Sequence, residues 1–204
     1  REELDGHLQA LSWAAGDPLM VAGDIPGGVY LVMSGRVRIT RDTVDGDEIT
    51  VDLAAPGDVV GPLDTTVVPT PDSAWAMETT CALFLRTESL AEVVETFPAL
   101  ALALLRLQQE RLTRAREREV ARTTRTVEQR VAGVLLSLAD SLGQERSDGS
   151  VLLQVRLRRD DIAGLASTTV ESTSRAMSRM KRKGLIDSGR EWVALLDVPA
   201  LAAL

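Results

Sequence analysis

Between residues 99 and 125 the chain runs without a single glycine or proline. A stretch of about 27 residues of this kind forms one extended helix of roughly 40 Å. It divides the chain into a turn-rich half before it and a helical half after it. A length of 204 residues with 45% hydrophobic content suffices for two modest domains. The boundaries expected are 1–98, 99–126 and 127–204.

Along the long helix, Ala101, Leu105, Gln108, Leu112 and Ala115 recur at alternating four- and three-residue steps. This is the seam of a two-stranded coiled coil, and it predicts a homodimer. Beyond Ala115 the seam weakens: Arg116, Arg118, Arg122 and Arg125 alternate with Glu117 and Glu119, the pattern of a solvated helix.

Residues 156–190 read as a short helix, a tight turn, a second capped helix and a hairpin, which together make a winged helix-turn-helix. The first helix is expected from Arg159 to Ala166, with Ile162, Ala163 and Leu165 facing inward. Thr168 or Thr169 caps the second, which runs to Lys183 and stops at Gly184. On that helix Thr173, Ala176, Met177 and Met180 share the inward face. Val170, Glu171, Ser174, Arg175 and Ser178 share the other.

The outward stripe carries base-reading chemistry. The planar fork of Arg175 matches guanine O6 and N7, Glu171 accepts from cytosine N4, and Ser174 and Val170 suit a thymine methyl. Thr168, Thr169, Ser178, Arg179 and Lys181 are candidates for phosphate contacts. Each has a plainer reading: Thr168 and Glu171 have the spacing of a capping box, and the basic residues 179–183 complement a helix C-terminus.

Charge is segregated. Residues 156–190 hold nine Lys or Arg against four Asp or Glu, a local +5 in a chain of net charge −7. From residue 127 onward there are 11 basic and 10 acidic residues, leaving 12 and 20 before it. An acidic sensor module joined to a DNA-binding module accounts for this asymmetry.

Upstream, short β-type segments are broken by Gly, Pro and Asp at 16–18, 23–28, 34–35, 45–47 and 55–58. Such spacing predicts an antiparallel sandwich or roll. The clearest strands are 29–33, 37–40, 49–53 and 82–85. The acidic residues 42–48 lack the ligand spacing of a calcium loop and read as a hairpin tip. Residues 89–97 form a helix ending at Pro98. Cys81 is expected to be a buried small hydrophobe.

Other classes are disfavoured. There is no Walker loop, no Gly-x-Ser-x-Gly elbow, and only one His and one Cys, so no catalytic set emerges. No apolar run approaches a membrane span and no secretory leader is visible, which makes the cytoplasm the expected compartment. The competing reading is a regulatory subunit with no DNA partner; it would have no need for Glu171, Ser174 and Arg175 on one face.

This α+β plan of roll, long dimerisation helix and winged helix-turn-helix resembles the CRP/FNR family of bacterial transcription regulators over essentially the whole chain. The roll signature stands at Ala15-Gly16-Asp17, Gly23-Asp24 and residues 28–38. The recognition-helix signature stands at residues 169–175, followed by Gly184-Leu185-Ile186. Ser167 departs from it, occupying a turn position usually held by glycine at a cost of about 1 kcal/mol if the backbone there is left-handed. The Glu171, Ser174, Arg175 pattern is similar to the FNR type and implies a palindrome of TTGA half-sites, with RNA polymerase as a further partner for an activator. The roll is the fold of cyclic-nucleotide-binding domains.

The same resemblance aligns residues 57–63 with the family's Gly-Asp-x-x-Gly-Glu-Leu cassette. Gly61 and Leu63 are kept, but Pro62 stands where a ribose-binding glutamate is expected. Asp72-Ser73-Ala74-Trp75 aligns with Arg-Ser-Ala-Trp, so an acid replaces the arginine that pairs with the cyclic phosphate. An aspartate there repels that anion, and control by cAMP is not expected. Ala115 and Arg116 occupy positions where cAMP-binding members present hydroxyls to the adenine. Arg116 suits either a different acidic effector or closure of the pocket by Asp72. One cysteine is too few for an iron-sulfur cluster, and no cofactor is expected. A haem-sensing member remains an alternative, with His7 as the sole histidine to ligate it.

Overall fold

The structure, a computed structural model, describes residues 6–63 and 68–204. It comprises two compact units, Arg1–Arg114 and Ala115–Leu204, divided within the long helix.

In the first unit eight strands make two four-stranded antiparallel sheets: β1 (Leu8–Trp13), β2 (Pro18–Met20), β3 (Gly28–Ser34), β4 (Val37–Asp42), β5 (Glu48–Ala54), β6 (Val59–Val60), β7 (Ser73–Ala76) and β8 (Thr80–Arg86). One sheet has the order β1-β8-β3-β6 and the other β2-β7-β4-β5. The four strands read from sequence are present, each longer by one or two residues at an end. Leu19, Val32, Val37, Ile39, Ala54, Val60, Ala74 and Ala76 fill the core between them. Residues 42–48 form the expected hairpin tip: Asp42 opposes Glu48, and the Thr43 amide donates to the Asp47 carbonyl at 2.8 Å. Between β3 and β4 the chain turns at Gly35, where φ is +80° and a Cβ would lie 2.7 Å from the Thr80 Cα. Only glycine accommodates both constraints.

Cys81 corrects an expectation: it is exposed. Its neighbours Thr80 and Ala82 are buried, so strand alternation sends the thiol to the outer face.

Two helices follow, α1 (Thr87–Thr96) and α2 (Pro98–Thr124). Proline suits the start of α2 because the first helical N–H has no intrahelical partner. Leu90 and Val93 of α1 are buried with Val29, Val59 and Leu85, and Leu100, Leu104 and Leu107 of α2 pack against this cluster. These leucines form one stripe along α2. Leu102, Leu105 and Leu112 form another and are exposed, at 58%, 64% and 45%. Of the seam positions, Leu105, Leu112 and Ala115 are exposed while Ala101 and Gln108 are half-buried.

The second unit contains α3 (Val127–Leu142), β9 (Gln144–Glu145), β10 (Val151–Leu153), α4 (Arg159–Leu165), α5 (Val170–Arg182), β11 (Ile186–Ser188), β12 (Val193–Leu195) and α6 (Val198–Ala202). Its sheet runs β11-β12-β10-β9. A capping box starts α3: Thr126 Oγ1 accepts from the Gln129 amide at 3.3 Å, and the Gln129 side chain accepts from the Thr126 amide at 2.8 Å. Leu135, Ile162, Met177, Met180, Ile186, Leu195 and Leu201 form the buried interior of this unit. Ala163, 3% exposed, supplies the small side chain that lets α4 and α5 approach.

Candidate nucleic-acid interface and effector pocket

The helix-turn-helix is built as its residues dictate. Ser167 adopts φ +49°, the only non-glycine residue with positive φ among those described. This left-handed step reverses the chain after α4, and the Thr168 amide closes the turn by donating to the Ala163 carbonyl at 2.9 Å. Thr169, rather than Thr168, is the N-cap of α5, its hydroxyl accepting from the Ser172 amide at 3.2 Å. The possible box between Thr168 and Glu171 does not form, since Thr169 is the N-cap. At the far end Gly184 has φ +71° just past the helix.

Burial divides α5 into the two faces expected from spacing. Thr173, Ala176, Met177 and Met180 are buried. Val170, Glu171, Arg175 and Ser178 are exposed and Ser174 is half-buried. Glu171 and Arg175, one turn apart, form an exposed ion pair with each other.

Three cations at the end of this helix, Arg179, Lys181 and Lys183, are already engaged. Glu128, in the first turn of α3, accepts from Arg179 Nε at 2.7 Å and from Lys183 Nζ at 2.8 Å. The bond from Lys183, reinforced by Arg179, holds its carboxyl below the ordinary glutamate range. Lys181 pairs with Asp187 at 2.5 Å, lowering that carboxyl as well. Glu128 was not singled out from sequence: it lies 51 residues from Arg179, beyond any local pattern. Arg159, at the start of α4, donates to the Met177 sulfur and to Ser188 Oγ. Partial burial pushes its guanidinium below its usual range.

In the roll, the carboxylate of Asp72 is held by Arg41 of β4, with Nε to Oδ1 at 2.7 Å and Nη2 to Oδ2 at 3.1 Å. That hydrogen-bonded carboxylate raises the Arg41 pKa. The cation given to Asp72 is therefore Arg41, which the sequence reading left out. Ser73 is buried and its Oγ accepts from the Ala22 amide at 2.9 Å. Gly61 has φ +103°, Pro62 is half-buried beside it, and Leu63 packs against the Val29 and Leu85 cluster. Ala115 and Arg116 are exposed on α2, and His7 is half-buried just before β1. Among the described residues no group of three or more His, Cys, Asp or Glu side chains is placed to hold a metal ion. Nor is any helix among them long and apolar enough to cross a membrane.

Residues 10–97 match the cyclic nucleotide-binding domain family and residues 129–204 the Crp-like helix-turn-helix domain family. The chain is 31% identical to the transcriptional activator protein anr of Pseudomonas aeruginosa over 193 residues, covering 93% of this chain and 77% of that protein. It is 30% identical to the cyclic AMP receptor protein of Thermus thermophilus over 204 residues, covering 98% and 91%. In fold it is similar to FixK2 from Bradyrhizobium japonicum, with a TM-score of 0.82 at 23% identity over 97% of this chain and 96% of that one. The chain belongs to the CRP/FNR family of transcription regulators, whose members bind DNA and are not enzymes.

Proposed function

We propose that the chain acts as a homodimer on double-stranded DNA, reads a palindrome of TTGA-type half-sites, and does so without cAMP. The observation that carries the reading is the outward face of α5, where Glu171 and Arg175 stand exposed beside Val170 and Ser174. Arg175 takes the guanine of TTGA, Glu171 the cytosine paired to it and Ser174 a neighbouring thymine. Thr168, Thr169, Ser178, Arg179 and Lys181 meet the phosphates, with Arg179 and Lys181 exchanging carboxylates for them. A two-fold axis along residues 99–125 sets the two recognition helices about one DNA turn apart, roughly 34 Å. The unpartnered stripe of Leu102, Leu105 and Leu112 supports that pairing. At promoters it activates, the dimer engages RNA polymerase.

Independence from cAMP is supported by the Arg41–Asp72 pair. An anion entering there meets a carboxylate whose cation is already bound in a bidentate fork. One relative is named a cyclic AMP receptor, and Asp72 is the residue that supports setting this chain apart from it. The reading includes no resident cofactor, whether cluster or haem.

Titration of a labelled palindromic duplex with TTGAT half-sites, beside a scrambled duplex, at two salt concentrations tests this. The palindrome should bind more tightly at both, with affinity falling steeply with salt. Equal affinity for the two duplexes would refute it.

A further inference from the structure

We infer that Arg130 is the positioning residue of this DNA-binding unit, tying the last turn of the long helix to the turn of the helix-turn-helix so that α5 is presented at a fixed angle. The inference rests on the proposed reading of DNA. Arg130 lies in the first turn of α3, and its guanidinium donates to four backbone carbonyls on two different elements. Nε reaches the Ala166 oxygen at 2.9 Å and Nη2 the Ser167 oxygen at 3.4 Å, both just past the end of α4. Nη1 reaches the oxygens of Arg122 at 3.3 Å and Arg125 at 3.1 Å, at the end of α2.

Carbonyls in the last turn of a helix lack intrahelical partners and carry its negative dipole end. One cation between two such ends satisfies both and fixes their relative angle, because the guanidinium fork is planar. The location adds to the argument. Ser167 is the strained left-handed residue of the turn, and Thr169, two residues on, caps the helix that carries Glu171, Ser174 and Arg175. Two residues before Arg130, Glu128 grips the other end of that helix through Arg179 and Lys183. The first turn of α3 thus holds the recognition helix near both ends, and through Arg130 it also holds the terminus of α2. Any rotation of that last turn is passed to the base-reading face.

The test compares the full chain with Arg130→Met and Arg130→Lys by thermal unfolding and by binding to the TTGAT palindrome and a scrambled duplex. Arg130→Met should lose about tenfold or more in affinity for the palindrome, the scale of one to two lost hydrogen bonds. Its affinity for the scrambled duplex, which depends on charge rather than angle, should change less than about twofold. Lysine, without the fork, should restore only a small part. A folded Arg130→Met variant with unchanged preference for the palindrome would overturn the inference, as would equal losses on both duplexes. Should that variant not fold, the Arg130 Nε–H resonance of the wild-type chain decides: slow exchange with solvent, with and without DNA, supports the clamp, and exchange at the rate of an exposed guanidinium overturns it. Failure of the wild-type chain to prefer the palindrome would instead count against the DNA code, leaving the resonance to judge Arg130.

Discussion

Arg175 is bound by Glu171 one turn earlier on α5, so the two side chains proposed to read a G·C pair satisfy each other when no DNA is present. Both are well exposed, at 69% and 73% of the side chain. Such a pair contributes only about 0.3 to 0.5 kcal/mol, and DNA can draw it apart at little cost. Arg175→Ala should therefore barely change unfolding, yet cost about 1 to 3 kcal/mol per half-site and relax selection of the guanine. Lys181→Ala should instead weaken all sequences alike and reduce the salt slope by about one. Selection from a random duplex library with each variant measures both, and retained guanine selection by Arg175→Ala would contradict the assignment.

Leu112→Glu places a charge in the exposed stripe of α2. It should shift the chain toward monomer and weaken binding to a palindrome in parallel, since half-site recognition needs the two-fold partner. Sedimentation and anisotropy on one sample check this. A monomer that binds the palindrome undiminished would disprove the role of the stripe.

Neither cAMP nor cGMP should give a calorimetric signal with the wild-type chain. Asp72→Arg combined with Pro62→Glu should gain measurable binding by supplying the phosphate and ribose partners. Micromolar affinity of the unaltered chain would show the pocket to be competent as it stands.

Ser167→Gly should stabilise the chain by up to about 1 kcal/mol, because the cost of a side chain at positive φ outweighs the added freedom of glycine in the unfolded chain. Denaturant midpoints decide it, and a destabilised variant would mean that the Ser167 side chain makes a contribution larger than its strain.

Glu128 titrates below its ordinary value because Lys183 and Arg179 stabilise its charge. The sign follows from linkage: its contribution is complete above the pKa of the unfolded chain and disappears as pH falls through the lower, folded value. Glu128→Gln should be less stable than wild type at neutral pH and should converge with it in acid. Urea midpoints across the acid range test this; a constant difference at all pH values would rule out the ion pairs as the cause.

The helix-turn-helix was legible almost to the residue because every part of it is written locally: apolar spacing on α4 and α5, a threonine cap, a glycine stop. Four of the eight strands of the roll were legible for the same reason. What escaped was set by tertiary neighbours. Arg41 meets Asp72 only because β4 and β7 are adjacent in their sheet, and Glu128 meets Arg179 only because α3 crosses α5. The exposure of Cys81 follows from alternation with the buried Thr80 and Ala82, whereas the apolar stretch around it suggests burial. Thr126 and Gln129 likewise carried a readable capping box.

The adjacent leucines 104 and 105 serve different sides of α2, one packed on the roll cluster and the other turned to solvent. Each residue advances the helix by about 100°, so the chain here is sensitive to phase as much as to composition. One residue inserted after Leu107 would leave the packing of Leu100, Leu104 and Leu107 in place while swinging Leu112 and everything beyond it around the axis. Length changes in this segment should accordingly be far less tolerated than substitutions, and the most tolerable should come in steps of seven, the shortest insertion that nearly restores the original bearing.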